Sequence, residues 1–485
     1  MKRFFLFGLL LLSLTAVAQQ TPYQSFEVDS VAEPRGGIAY FNTFVQANLR
    51  KPIAAEAAGV GGRVIISAVI EPDGKPSDVK LMNNLRPDFN REALRVFHLF
   101  NAWKAAKKGG KAVRQQITAS VAFKANQPFV YRDGAQIAYF DADQKRLTDS
   151  SANVRFKQVS PLDSNGFANG DIIVYRTKGS SWKEEYRIPF IRETDTKNDS
   201  SNPPTRRHGY YHTDSLWEGK VLTFSESGDL LKQTYYNGGK PTGIETTYHP
   251  NGLVAQKSEA TDTGFAFTSW HPNGQIKRVW TSNSTTVFAT NKPIEVTSYW
   301  NDAGQQLVKE GNGYAVYTEA VESQTDSSQQ TTLVEQGLYQ NGLKQGVWTG
   351  RYKDGSYGFD EQYDKGICQQ GKAYISGSDT LRYTEVEKQA EFKGGMNALG
   401  SFLAQNLSYP VNAQRSGAEG KVFIKFVVCT DGTLCDYEVI NSVHPELDKE
   451  ALRVVRKMSG RWKPGSLRGQ NVRVLYNLPI NFSLH

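Results

Sequence analysis

The pentapeptide Glu-Ala-Leu-Arg-Val occurs twice in this chain, at 92–96 and again at 450–454. The coincidence reaches well beyond five residues. Gly36-Gly37 returns as Gly394-Gly395, Phe44 as Phe402, Asn48 as Asn406, Pro52 as Pro410, Gly62 as Gly420 and Asp73-Gly74 as Asp431-Gly432, always 358 residues later. One residue is then inserted in the later copy, after which Trp103-Lys104 returns as Trp462-Lys463 and Phe123 as Phe482. A chain that begins and ends on one pattern folds into two related domains with something different between them.

The later copy carries the clearer pattern. Leu399, Phe402, Leu403 and Leu407 share one helical face ahead of Tyr409-Pro410, where a helix must stop. "KVFIKFVV" and "DYEVI" flank the turn residues 430–433 and read as a hairpin. Leu447, Ala451, Val454, Val455 and Met458 repeat at helical spacing. From Val472 to Leu484 every second residue is apolar, the period of a half-buried strand over 471–484. The order is helix, hairpin, helix, strand, so the predicted fold class is α+β for the end domains, at 34–127 and 388–485. In the earlier copy Lys51 stands for Tyr409, Ala105 for Pro464, and the last strand is less apolar. That copy is expected to keep the fold without a binding activity.

Residues 128–387 have another texture. "YHPNG" at 248–252 and "WHPNG" at 270–274 typify a series in which an aromatic precedes a Gly by two to four residues, often with Asn or Asp directly before the Gly. Asn-Gly supplies the positive φ of a tight hairpin turn. The region reads as an all-β meander of hairpins, interrupted by flexible polar loops at 192–209 and 322–332.

The N-terminus reads as a signal peptide over 1–18, with Lys2-Arg3, an apolar run at 4–17 and cleavage after Ala18, followed by a polar linker at 19–33. Fourteen apolar residues are short for a bilayer span, so the mature chain is expected in the periplasm without stable membrane insertion. The formal charge is +8, concentrated at the two ends. Export argues against a nucleic-acid partner despite that charge.

Three cysteines occur. Cys429 and Cys435 flank the hairpin turn and are expected to form a disulfide in an oxidising compartment, with Cys368 unpaired. A two-residue turn would set Cys429 opposite Leu434; a three-residue loop would set it opposite Cys435. No GxSxG, HExxH or phosphate-loop pattern is present. His249 and His271 hold equivalent places in two repeats and read as turn-flanking residues. No catalytic residue, metal site or cofactor is expected, and the chain is not expected to be an enzyme.

At "GG…L…FLAQNLSYP", "GKVFIKFVV…DG", "LDKEALRVV", "WKPG" and "LPINF", residues 391–485 resemble the TonB C-terminal domain family, with 34–125 as a degraded second copy. The middle is similar to MORN-like repeats of the YwqK type. The TonB resemblance implies a periplasmic domain that pairs with a short strand from an outer-membrane receptor. Classical members also carry an uncleaved membrane anchor and a long Pro-rich spacer, and this chain is expected to depart from that pattern at both points. The expected function is therefore that of a TonB-like interaction protein that binds an envelope or outer-membrane partner, related to TonB-dependent transport, by strand addition. The alternative is an envelope glycan-binding protein or hydrolase that works through the central aromatics. Pro479 has no N–H and is tolerated where that donor would face outward. Arg473, Leu475, Asn477 and Pro479 are accordingly expected to turn their backbone groups to the open edge.

Overall fold

A computed structural model describes residues 21–148, 153–195, 204–211, 216–283, 293–377 and 379–484. The expected signal peptide and its cleavage at Ala18 lie outside the described residues. The chain forms two compact units. One holds the earlier copy with the first part of the repeats, through residue 259 plus 268–277 and 302–305; the other holds the remainder with the later copy.

In the earlier copy, helices Ile38–Asn48 and Pro87–Leu99 accompany a three-stranded antiparallel sheet with Gly62–Ile70 between Pro76–Leu81 and Gln115–Phe123. In the later copy, helices Gly395–Asn406 and Pro445–Arg456 accompany Gly420–Val428, flanked by Leu434–Asn441 and Val474–Phe482. The helices opening with Pro87 and Pro445 use a residue whose missing N–H would find no intrahelical partner there. The later core joins Val422, Ile424, Phe426 and Val428 to Leu447, Ala451 and Val455 and to Leu478, Ile480 and Phe482. Each large buried side chain contributes roughly 1.5–3 kcal/mol, so this contact outweighs the propensities of such short helices.

The repeated pentapeptide has a specific job. Arg95 Nη2 donates to Asn48 O at 2.7 Å while Glu92 Oε1 accepts from the Arg50 N–H at 2.6 Å. In the later copy Arg453 Nη2 donates to Asn406 O at 2.6 Å and Glu450 Oε1 accepts from the Ser408 N–H at 2.7 Å. Each Glu-Arg pair ties the end of the first helix and the chain leaving it to the second helix. Carbonyls at a helix end have no partner in the helix, which is why the motif recurs whole.

The repeats form antiparallel hairpins. In the second unit Gly313–Glu322, Gln330–Gln340, Leu343–Tyr352, Tyr357–Asp364, Ile367–Ile375 and Leu381–Tyr383 lie side by side in chain order. Aromatic rings lie over glycines of neighbouring strands. A Cβ on Gly337 would stand 2.3 Å from the Trp348 ring, and one on Gly350 would stand 2.1 Å from Phe359. The aromatic-and-glycine texture thus serves the sheet face as well as its turns.

Two expectations about loops are corrected. Arg192 pairs with His208 between strands Phe190–Asp195 and Thr205–Tyr211, so much of 192–209 is sheet. Glu322 pairs with Gln330, which leaves only 323–329 as a turn, with Asp326 accepting from the Ser328 N–H at 3.0 Å. Over the described residues, 192–195, 204–209 and 322–332, the strands of both segments are polar because they are wet on at least one face.

Candidate functional site

The last strand, Val474–Phe482, pairs with Gly420–Val428 and ends the later sheet; among the described residues no strand pairs with its far side. Leu478, Ile480 and Phe482 are buried, while Leu475, Asn477 and Pro479 are exposed, Leu475 at 55%. The expected unbroken strand over 471–484 is corrected. Gln470–Val472 turns back on Gly465–Leu467, and the chain breaks at Arg473 before the last strand begins. Arg473 is held at that break by an ion pair of 2.5 Å with Asp436 and a contact of 3.5 Å with Cys435 Sγ. Leu475, Asn477 and Pro479 therefore share the edge strand, and Arg473 stands just ahead of it.

Cys429 and Cys435 are free thiols, and Cys435 Sγ donates to Asp436 Oδ2 at 3.7 Å. Neither expected register occurs. The Cys429 N–H donates to Thr433 O at 2.8 Å and Cys435 pairs with Val427, so the cysteines are diagonal neighbours. The loop is 430–432, closed by Gly432 at φ 82°, a value that favours Gly. Burial, then the neighbouring Cys429 thiol, pushes the Cys435 thiol up to about 11. Cys368 is also a free thiol, half-buried in the repeat sheet. His249 hydrogen-bonds Trp270 O at 2.9 Å, and His271 Nδ1 lies 3.0 Å from Asp302. Among the described residues no group of three His, Cys, Asp or Glu is placed to hold a metal ion.

The start of the corresponding edge of the earlier copy is covered. The Tyr23 N–H donates to Arg114 O and Tyr23 O accepts from the Gln116 N–H, both at 2.9 Å, as a parallel bridge beside Gln115–Phe123. Arg114 and Gln116 correspond to Arg473 and Leu475 in the later copy. The stretch read as a linker is thus held, over its described part, against the domain that follows it.

Sequence reasoning missed one buried cluster. Glu361 is fully buried and meets Arg468 Nε at 2.8 Å, Tyr383 Oη at 2.8 Å and Tyr363 Oη at 3.0 Å. The guanidinium lies 3.6 Å from the centre of the Phe359 ring. Burial works to lower the Arg468 pKa, but the Glu361 charge and hydrogen bond outweigh it and raise it. Burial, then Glu361, raises both tyrosines. Arg468 takes φ 50° at the tip of the hairpin 465–472 to reach this acid. An open cleft of about 570 Å³ beside it is lined by Lys372, Arg382, Glu385 and Ser466. A non-glycine residue at a turn position suited to Gly was the available signal.

Residues 48–125 and 405–484 each match the family model described as Gram-negative bacterial TonB protein C-terminal, together about a third of the chain. Two NMR solution structures of the Helicobacter pylori TonB C-terminal domain are also similar. The one of residues 179–285 is 26% identical, covering 18% of this chain and 78% of its own, with a TM-score of 0.16. The one of residues 194–285 is 24% identical, covering 18% and 91%, with a TM-score of 0.16. No curated protein matches. Among the described residues no helix is long and apolar enough to cross a membrane.

Proposed function

We propose that this chain is a non-enzymatic interaction protein of the Gram-negative periplasm, and that the later copy captures an envelope or outer-membrane partner by strand addition at Val474–Phe482. The observation that carries this reading is the free edge itself. The last strand of a segment that matches the TonB C-terminal family has, among the described residues, a neighbour on one side only, with Leu475 and Asn477 exposed beside it. An unpaired row of N–H and C=O groups is a template for an extended segment. The partner fits a TonB-dependent receptor, the class that TonB C-terminal domains serve. The repeats, MORN-like in sequence, act as the scaffold between the copies.

A strand-sized contact buries little area, so the complex is weak and transient. Leu475→Pro removes one outward donor and leaves the buried face of the strand unchanged. Affinity for the captured partner should fall at least tenfold with the fold intact by circular dichroism. Unchanged affinity would overturn strand addition at this edge.

A further inference from the structure

The edge of the earlier copy is not merely screened by its neighbours in sequence. Tyr23 makes both backbone hydrogen bonds that an added strand would make at this position, one to Arg114 O and one from the Gln116 N–H. Its side chains fit as well. Lys108 Nζ stands 4.2 Å from the centre of the Tyr23 ring, and Gln24 Nε2 donates to Gln116 Oε1 at 3.1 Å. The chain then stays on the domain. The Asp29 N–H donates to Lys107 O at 2.8 Å, Ser30 bridges Lys107, and the Gly109 N–H donates to Asp29 Oδ2 at 2.6 Å.

The later copy shows what the same stretch does elsewhere. Lys388, the counterpart of Ser30, pairs with Ser466, the counterpart of Lys107. Leu381, the counterpart of Tyr23, instead joins the repeat sheet opposite Ala373, and among the described residues nothing pairs with the outer side of the later edge strand. The side-chain fit is also absent, because Leu467 and Leu475 replace Lys108 and Gln116. Contact with Tyr23 is therefore built into the earlier copy rather than being a consequence of the shared fold.

We propose that the earlier copy is a working strand acceptor, occupied by residues 21–24 of its own chain, and that an extended peptide with an aromatic residue for Lys108 and an amide for Gln116 binds it by displacing Tyr23. The expectation that this copy lost its binding activity is thereby replaced by one in which it is self-occupied. A tether supplies the strap at high effective concentration. If the strap is closed nine-tenths of the time, the apparent affinity for an outside peptide falls about tenfold.

The test uses the full chain and a fluorescent peptide with the sequence of residues 21–30. Tyr23→Pro deletes the strap's donor and its ring, and should raise the affinity for the peptide at least tenfold over the unaltered chain. Adding Gln116→Pro, which removes the outward N–H that Tyr23 uses, should abolish that binding, while adding Leu475→Pro should leave it unchanged. Equal affinity for the unaltered chain and Tyr23→Pro, or no binding to either, would overturn the proposal. So would binding that survives Gln116→Pro, or that Leu475→Pro removes. Should Gln116→Pro unfold the domain, Lys108→Ala in the Tyr23→Pro chain is the substitute, with an expected loss of about threefold; no loss overturns the proposal. Capture of an envelope partner by the later copy does not depend on any of these outcomes, so the two readings can fail separately.

Discussion

The earlier copy commits its first helix and the start of its edge strand to its own chain, whereas among the described residues the later copy leaves the equivalent surfaces open. In the earlier copy, Phe41, Phe44, Val45 and Asn48 of the first helix are buried. Repeat turns lie against that helix: the Val254 N–H donates to Asn48 Oδ1 at 2.9 Å, and Gly274 sits so close to Phe44 and Phe100 that a Cβ there would collide. In the later copy only Leu399 of the first helix is buried, and Met396 is 67% exposed. Asn406, the counterpart of Asn48, donates back to Phe402 O just as Asn48 donates to Phe44 O, but among the described residues no repeat N–H donates to its Oδ1. The same fold thus serves once as a docked end piece and once as a module that presents an edge.

The substitutions between the copies follow those roles. At the hairpin tip the earlier copy has Gly109-Gly110, both at positive φ, where the later copy has Arg468-Gly469. Beside the edge, Glu71 accepts from Ser77 and Arg114 in the earlier copy. Cys429, Cys435 and Arg473 hold those three places in the later one.

The hairpin tips give the largest expected difference. Arg468→Ala strands the buried Glu361 carboxylate and should cost about 3–5 kcal/mol in the second unit by chemical denaturation. Arg468→Gly, the residue of the earlier copy, should lose about 1 kcal/mol less because it accepts the positive φ. A loss below about 1 kcal/mol for either would mean that the ion pair does not hold the hairpin.

The thiols come next. In the reduced protein Cys435 should alkylate about a hundredfold more slowly at neutral pH than an ordinary exposed cysteine, because a pKa near 11 leaves little thiolate. The earlier copy contributes no thiol to the assay. We propose further that export oxidises Cys429 and Cys435 to a disulfide, so that the unfolded, unreduced protein titrates as one thiol. Three thiols would refute the bridge.

Asn48→Ala should cost roughly 1–3 kcal/mol, since it leaves the Val254 N–H unpaired, and Asn406→Ala less than about 1 kcal/mol. Equal costs would erase the distinction between the two helices. The smallest effect is acidic. The hydrogen bonds of Arg114 hold the Glu71 carboxyl below its ordinary range. Its contribution is present above the unfolded pKa near 4 and is lost as the pH falls through the lower folded value. Glu71→Gln should remove on the order of 1 kcal/mol of acid sensitivity from the first unit.

Much of the later copy was legible because burial on one face leaves an imprint of period two, as from Val474 to Phe482. Pro479, which has no N–H to give a neighbouring strand, pointed to an edge. Other features leave no such imprint. The bridge at Tyr23 pairs a single residue with the edge, so no side-chain period announces it. Glu361 and Arg468 are far apart in sequence, and a buried acid reads like a surface one until its partner is known. The break at Arg473 is fixed by the return of Gln470–Val472 onto Gly465–Leu467, which the continuing alternation hid. The strand residues 192–195, 205–209, 322 and 330–332 read as loop because wet strands share the composition of loops.

Residue-resolved amide exchange on the full chain tests most directly whether one edge is occupied and the other free. The Gln116 N–H, bonded to Tyr23 O, should exchange well over tenfold more slowly than the Leu475 N–H, which should exchange near its intrinsic rate and become protected when a partner strand binds. Equal protection of Gln116 and Leu475 in the isolated chain, or a Leu475 amide unaffected by a bound partner, would contradict the account.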